Sequence, residues 1–295
     1  MLLHPTPQKP GISSGGDMAH FNQVNGGSGI YMATAAYNAD ALAVTGSYYY
    51  AADYLNNIVD QATGGMYASA LTNDAHILWG DVAYGGFEGF KLAGQVGTVM
   101  DDDFAVASTV FGNVGADDTV AWGLKAGGNW DNISATLAYS DVNDGGVGVF
   151  NVGGVKTPLY TQLILNQDAI RKDASTIVAK AGLKTGFGKF GIAYNYSDLG
   201  ANAYTATAFA PRRANNAVDT TPGTVIHGGA GTYSELDLTY KVKVFNDSTT
   251  LFAGYIYQAD ERDAFSYKDA TNTLVTVDAS DRTQNTLRFW GRYNF

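Results

Sequence analysis

The sequence predicts an all-β, antiparallel transmembrane β-barrel, and three observations carry that prediction. Apolar and polar residues alternate with a period of two along most of the chain. The connections between the alternating runs are short and long by turns. The chain closes on an aromatic strand, Leu287-Arg288-Phe289-Trp290-Gly291-Arg292-Tyr293-Asn294-Phe295. A strand sends alternate side chains to opposite faces, so such runs have one greasy and one wet face.

Taken in chain order, weaker runs cover Gly29 to Asn38, Ile77 to Gly85, Gly89 to Val99 and Thr176 to Thr185. Between them lie clearer ones. Leu42, Val44, Gly46, Tyr48 and Tyr50 form one face, as do Val120, Trp122, Leu124 and Ala126. The same holds for Ile133, Ala135, Leu137 and Tyr139, and for Phe190, Ile192, Tyr194 and Tyr196. The cleanest case is Glu235 to Val244, followed by Thr250 to Gln258 with Leu251, Ala253, Tyr255 and Tyr257 on one face. In the closing run Leu287, Phe289, Tyr293 and Phe295 share a face, and they would serve as the barrel-closing assembly signal. The total is about eleven strands of about ten residues, the length of a tilted membrane-spanning strand.

Short turns fall near residues 38–40, 86–88, 129–132, 186–188 and 245–248. Long polar connections cover roughly 52–75, 100–118, 141–174, 199–232 and 259–283. Barrels of the outer membrane have short periplasmic turns and longer outer loops. Tyr50, Tyr139, Tyr196 and Tyr257 lie toward the long-loop ends, where an interfacial aromatic girdle sits. A complete bacterial barrel has an even strand number. An odd count therefore leads us to expect further strands upstream, within a barrel of 16–18, about the porin size. Residues 1–28 are then an outer-loop remnant and 29–295 the barrel domain. Residues 66–71 and 105–111 are alternative strand candidates.

Composition agrees. Charged residues are 16 %, below the usual quarter or so, while glycine is high at 36 residues. There is no cysteine, which argues against a disulfide scaffold in an exported chain. The formal net charge of -10 disfavours nucleic acid as a partner. No run reaches the length of an apolar membrane helix, about eighteen residues or more. Enzyme signals are poor: there is no GxSxG, HExxH or P-loop element, and His4, His20, His76 and His227 are scattered. The acidic groups Asp101 to Asp103, Asp117-Asp118 and Asp260, Glu261 and Asp263 read as solvated loops rather than cation sites. No catalytic residue and no metal ligand is assigned.

If the apolar faces touch lipid, the opposite faces line a lumen. That places Lys91, Lys125, Lys180, Lys184, Glu235, Asp237, Lys241, Lys243, Arg288 and Arg292 inside. Charge on the lipid face would cost about 2–4 kcal/mol at mid-membrane. The connection Gly153 to Asp173 is unusual, because Leu159, Leu163, Ile164, Leu165 and Ile170 are too apolar for a freely solvated loop. It is expected to start a short helix near Pro158 and to pack among the outer loops; folding inward to narrow a pore is the alternative.

The closing segment NTLRFWGRYNF, the pair ELDLTYKVKVFNDSTTLFAGYIYQ and the loop GGVKTPLYTQLILNQ (Gly153 to Gln167) carry a resemblance. Together they resemble the major outer-membrane porins of the Campylobacter type. That resemblance implies a trimeric porin, also a surface antigen, passing ions and small hydrophilic solutes by passive diffusion with cation preference. It further implies outer-membrane lipid, lipopolysaccharide and the barrel assembly machinery as partners, and a calcium ion near the constriction whose ligands have no match here. The alternatives are a substrate-selective carboxylate channel and a surface adhesin barrel without an open pore.

Overall fold

The computed structural model describes residues 30–51, 74–101, 106–108, 112–114, 118–145, 148–149, 157–167, 169–201, 203, 230–245, 248–268 and 274–293. The expected assignments for 1–28, 66–71, Asp102, Asp103, Asp117, Phe295, His4, His20 and His227 lie outside them.

Eleven long strands make one antiparallel sheet. They are β1 (Ile30–Ala39), β2 (Leu42–Ala51), β3 (Ala75–Phe87), β4 (Phe90–Asp101), β7 (Thr119–Trp130), β8 (Ile133–Val142), β9 (Ala174–Thr185), β10 (Gly188–Leu199), β11 (Gly231–Val244), β12 (Thr249–Arg262) and β15 (Ser280–Tyr293). Each pairs with its neighbours in chain order, so the sheet is a continuous meander from β1 to β15. Those two strands are its edges among the described residues. Four short strands form two hairpins outside the sheet: β5 (Val106–Ser108) with β6 (Gly112–Val114), and β13 (Phe265–Lys268) with β14 (Leu274–Val277). The 105–111 candidate is therefore part of a loop hairpin and adds no strand to the wall.

The turns explain the register. Asp40 and Asp131 adopt positive φ (43° and 48°) at the β1–β2 and β7–β8 turns. Asp tolerates that left-handed conformation better than most residues. Gly89, at φ 69°, makes the β3–β4 turn, and a Cβ there would meet the Trp130 indole at 3.3 Å. Tight turns of this hand match the twist of the flanking strands and lock their pairing. All such turns lie at one end of the sheet, and the β2–β3, β4–β7, β8–β9, β10–β11 and β12–β15 connections lie at the other.

The two faces differ as the alternation requires. Outward side chains include Leu78, Val96, Leu124, Ile133, Leu137, Ile192, Leu238, Leu287 and Phe289, all exposed. An aromatic band marks the turn end of that face. Phe87 packs against Tyr84 and Phe90, and Phe190 packs against Phe187 and Tyr240 with ring centroids 5.9 and 4.9 Å apart. Tyr48, Tyr50 and His76 cluster at the long-loop end, with the Tyr48 hydroxyl 2.7 Å from His76 Nδ1. An apolar band between two aromatic belts is the signature of strands crossing a bilayer. These features make the sheet the wall of an outer-membrane β-barrel.

The inner face is polar and, at the long-loop end, buried. Thr119, Ser140, Thr176, Asn195, Ser197, Glu235, Gln258 and Asp260 are inaccessible or nearly so. The connection between β8 and β9 lies against this face, reaching Ser140 through Thr161 and Glu235 through Ile164 and Leu165. Its Val149, Leu159, Ala169 and Ile170 join Ala121, Val142, Leu199 and Tyr233 in the one hydrophobic core among the described residues.

Candidate functional site: an inward segment pinned to the inner wall

The described residues of 157–173 form turns and bends and no helix. The expected helix from Pro158 is corrected, and so is the expected packing among outer loops. Leucines at 159 and 163 have helical spacing, yet Asn166 imposes a different local geometry. Its carboxamide accepts the Leu163 N–H at 2.7 Å and donates to the Thr161 carbonyl at 2.9 Å. A short polar side chain that bonds nearby backbone competes with helix formation. The Gln162 side chain adds a second clasp, accepting from the Thr157 backbone and hydroxyl.

The segment lies on the inner face and touches six strands, with the Tyr160 hydroxyl reaching the Gly94 carbonyl of β4 at 3.3 Å as well as the contacts that follow. At one end the Tyr160 hydroxyl donates to Asp81 Oδ1 on β3 at 2.9 Å. The Lys125 ammonium of β7 sits 4.0 Å from the centre of the same ring, a cation–π contact. Burial, and then the bond to Asp81, raise the Tyr160 pKa, so its hydroxyl stays a donor. Thr161 and Ser140 of β8 pair through their hydroxyls at 2.5 Å. Lys180 of β9 donates to the Gln162 carbonyl at 2.9 Å. At the other end Glu235 Oε1 of β11 accepts the N–H groups of Ile164 and Leu165 at 3.1 and 2.9 Å. Asp237 Oδ2 accepts a second bond from Ile164 at 3.3 Å. A hydrogen bond typically contributes about 0.5–1.5 kcal/mol net, so this set of bonds makes the anchoring substantial. Farther along, burial lowers the pKa of Lys172, with Asp144 and Asp173 opposing the shift.

The predicted lumen residues sort into two groups. Lys125, Lys180, Glu235 and Asp237 touch or hold the segment. Glu235 and Asp237 are fully or almost fully buried, and Glu235 also takes the Tyr233 hydroxyl at 2.7 Å. Lys91, Lys184, Lys241, Lys243, Arg288 and Arg292 lie on the same inner face nearer the turns and are exposed. Asp260 is not a solvated loop residue: it sits within β12, 2 % exposed, bonded to Arg262. Glu261 is exposed but likewise lies within β12, so it too is no loop residue; Asp263, just past the strand, is exposed as expected. Of the assembly-signal residues, Leu287, Phe289 and Tyr293 point outward.

Strand register arranges the turn-side inner wall in rows. One row runs Lys184, Lys189, Lys241, Phe252, Trp290 across β9 to β15. The row above it runs Gly182, Gly191, Thr239, Gly254, Arg288. Directly opposed residues have Cβ atoms about 4.5–5.5 Å apart, so three lysines stand side by side. Phe252 and Trp290 stack at 5.1 Å with their planes 11° apart. Sequence reasoning missed Lys189, Phe252, Trp290, Tyr160 and Asp81 as a set. The two-residue parity already placed Lys189 and Phe252 inside, but pairing across strands was needed to bring them together.

No group of three or more Asp, Glu or His side chains comes together among the described residues. Both Glu235 oxygens and Asp237 Oδ2 are occupied by N–H and O–H donors. The described inner wall thus does not fit the calcium ion that the resemblance implies.

No family model and no curated protein matches the chain. Solved structures that it is similar to are outer-membrane proteins. The trimeric form of OmpT from Vibrio cholerae is 13 % identical, with 88 % of this chain and 64 % of that one covered and a TM-score of 0.43. OccAB4 of Acinetobacter baumannii is 11 % identical, with coverages of 88 % and 53 % and a TM-score of 0.48. OprD from Pseudomonas aeruginosa is 12 % identical, with coverages of 88 % and 67 % and a TM-score of 0.44. The chain thus spans about half to two thirds of the length of these proteins.

Proposed function

We propose that this chain forms the wall of a water-filled outer-membrane pore through which ions and small hydrophilic solutes diffuse passively. The observation that carries the reading is the inward segment. An adhesin barrel needs no covered acids and no organised segment inside it, whereas a pore needs something to set its width. Residues 157–173, held by Asp81, Lys180, Glu235 and Asp237, supply that. The mechanism needs no catalytic group: pore width sets the size limit and wall charge biases which ions pass.

The porin reading extends to a homotrimer in a lipid and lipopolysaccharide environment, delivered by the barrel assembly machinery, with membership of the Campylobacter-type family and a surface-antigen role. On ion preference the inner face supports the opposite of the expected cation bias. Its acids at the segment are bonded and buried, while the cations below stay exposed. That same distribution favours the second reading, a channel selective for carboxylates. Single-channel conductance of the folded protein in a planar bilayer tests the pore itself. Discrete steps are expected, and a silent barrel would contradict it.

A further inference from the structure

Between the inward segment and the turn end, the inner wall holds a niche of roughly 520 Å³. It falls within the about 300–1,000 Å³ range of small-molecule sites. Its roof is Gln162, Leu163 and Ile164 of the segment, with Lys180 and Asp237 beside them, the Asp237 carboxyl taken up by the Ile164 N–H. The back wall is recessed because the row behind it is built from Gly191, Thr239 and Gly254. A Cβ at Gly254 would stand 3.0 Å from the Phe252 ring and press on it. The floor is the stacked pair Phe252 and Trp290, the latter 39 % exposed. Cations stand around that floor. Lys241 Nζ is 5.9 Å from the centre of the Trp290 ring, and Arg288 lines the niche on the same face of β15. Lys189 and Lys184 continue the Lys241 row.

Like charges directly opposed across strands are destabilising on their own. Lys241 and Arg288 beside the Phe252 and Trp290 rings suit a ligand that brings negative charge and a planar ring together. Resting on the pore reading, we propose that this niche is a binding site for small aromatic carboxylates in transit. The ring stacks on Phe252 and Trp290, and the carboxylate takes Arg288 and Lys241, Arg by a bidentate pair. The apolar side chains of Leu163 and Ile164 close over the ring from above.

The test is single-channel recording with 3-phenylpropionate as the probe. Concentration-dependent interruptions of the open current are expected. Acetate, which lacks the ring, and 2-phenylethylamine, which reverses the charge, should leave the current uninterrupted at the same concentration. Trp290→Ala should weaken the blockade about tenfold and Trp290→Phe should restore most of it. A conducting channel that 3-phenylpropionate does not interrupt overturns the niche and leaves the pore reading standing. So does equal blockade by acetate, or full blockade in Trp290→Ala. If the barrel is silent, a fluorescence titration of the folded protein with 3-phenylpropionate decides. A saturable change lost in Trp290→Ala upholds the niche while the pore reading falls, and no change overturns both.

Discussion

The two halves of the inner wall are built on the same strands and the same parity, yet they have opposite fates. At the long-loop half, Glu235 and Asp237 are sealed beneath the inward segment, whose Ile164 and Leu165 N–H groups they accept. At the turn half, Lys184, Lys189, Lys241 and Arg288 remain open. Alternation fixes only which face a side chain takes. What covers that face decides whether a charge becomes an anchor or a surface. In the sealed half the carboxylates hold backbone N–H groups. In the open half the cations are left to meet solutes.

The largest effect should come from the sealed half. Glu235→Ala removes the acceptor of the Ile164 and Leu165 N–H groups and of the Tyr233 hydroxyl. Leaving buried donors unsatisfied costs about 1–3 kcal/mol each. We expect a loss of several kcal/mol in urea unfolding from liposomes, with a larger and noisier conductance. Unchanged stability would mean that the segment is held elsewhere.

Next in size is the contrast between faces. Leu124 points outward, 58 % exposed, and Lys125 inward on the same strand. Leu124→Arg should cost about 2–4 kcal/mol if it lies near the bilayer midplane. Lys125→Met, which loses only the contact with the Tyr160 ring, should cost about 0.5–1 kcal/mol. Equal costs would undo the assignment of faces.

How much of this was legible in the sequence follows from the same contrast. All eleven wall strands follow from local alternation, because one lipid-facing side demands a period of two whatever the rest of the chain does. Boundaries moved by a few residues: β12 runs on to Arg262, so Asp260 is a strand residue facing inward. The segment 157–173 was not legible. Its leucines satisfy a helix, a loop cluster or a lumen lining equally well, and Asn166 decides among them through bonds of three and five residues' reach. Its anchors, Asp81 and Glu235, lie 79 and 71 residues away from their partners. Nothing in a local window announces such pairs.

A smaller effect belongs to the open half. Neutralising Lys184, Lys189 and Lys241 together should shift the reversal potential in a salt gradient toward cations, and more so at low salt, where screening weakens. An unmoved potential would mean that this row does not face the conducting path. The smallest expected effect is Tyr160→Phe. It deletes the hydrogen bond to Asp81 but keeps the ring against Lys125, and should cost about 0.5–1.5 kcal/mol in the same unfolding measurement. A cost as large as that of Glu235→Ala would make the β3 contact, not β11, the main anchor.

The central claim is that residues 157–173 lie against the inner wall, and the absence of cysteine allows a clean test. The Ser140 and Thr161 hydroxyl oxygens are 2.5 Å apart, so a pair of cysteines there can reach the bonding distance of about 2.05 Å. In the double variant Ser140→Cys and Thr161→Cys, mild oxidation of the folded protein should give an intramolecular disulfide, seen as the loss of both free thiols without a dimer. Two thiols that stay free and label readily after oxidation would place the segment away from β8 and contradict the account.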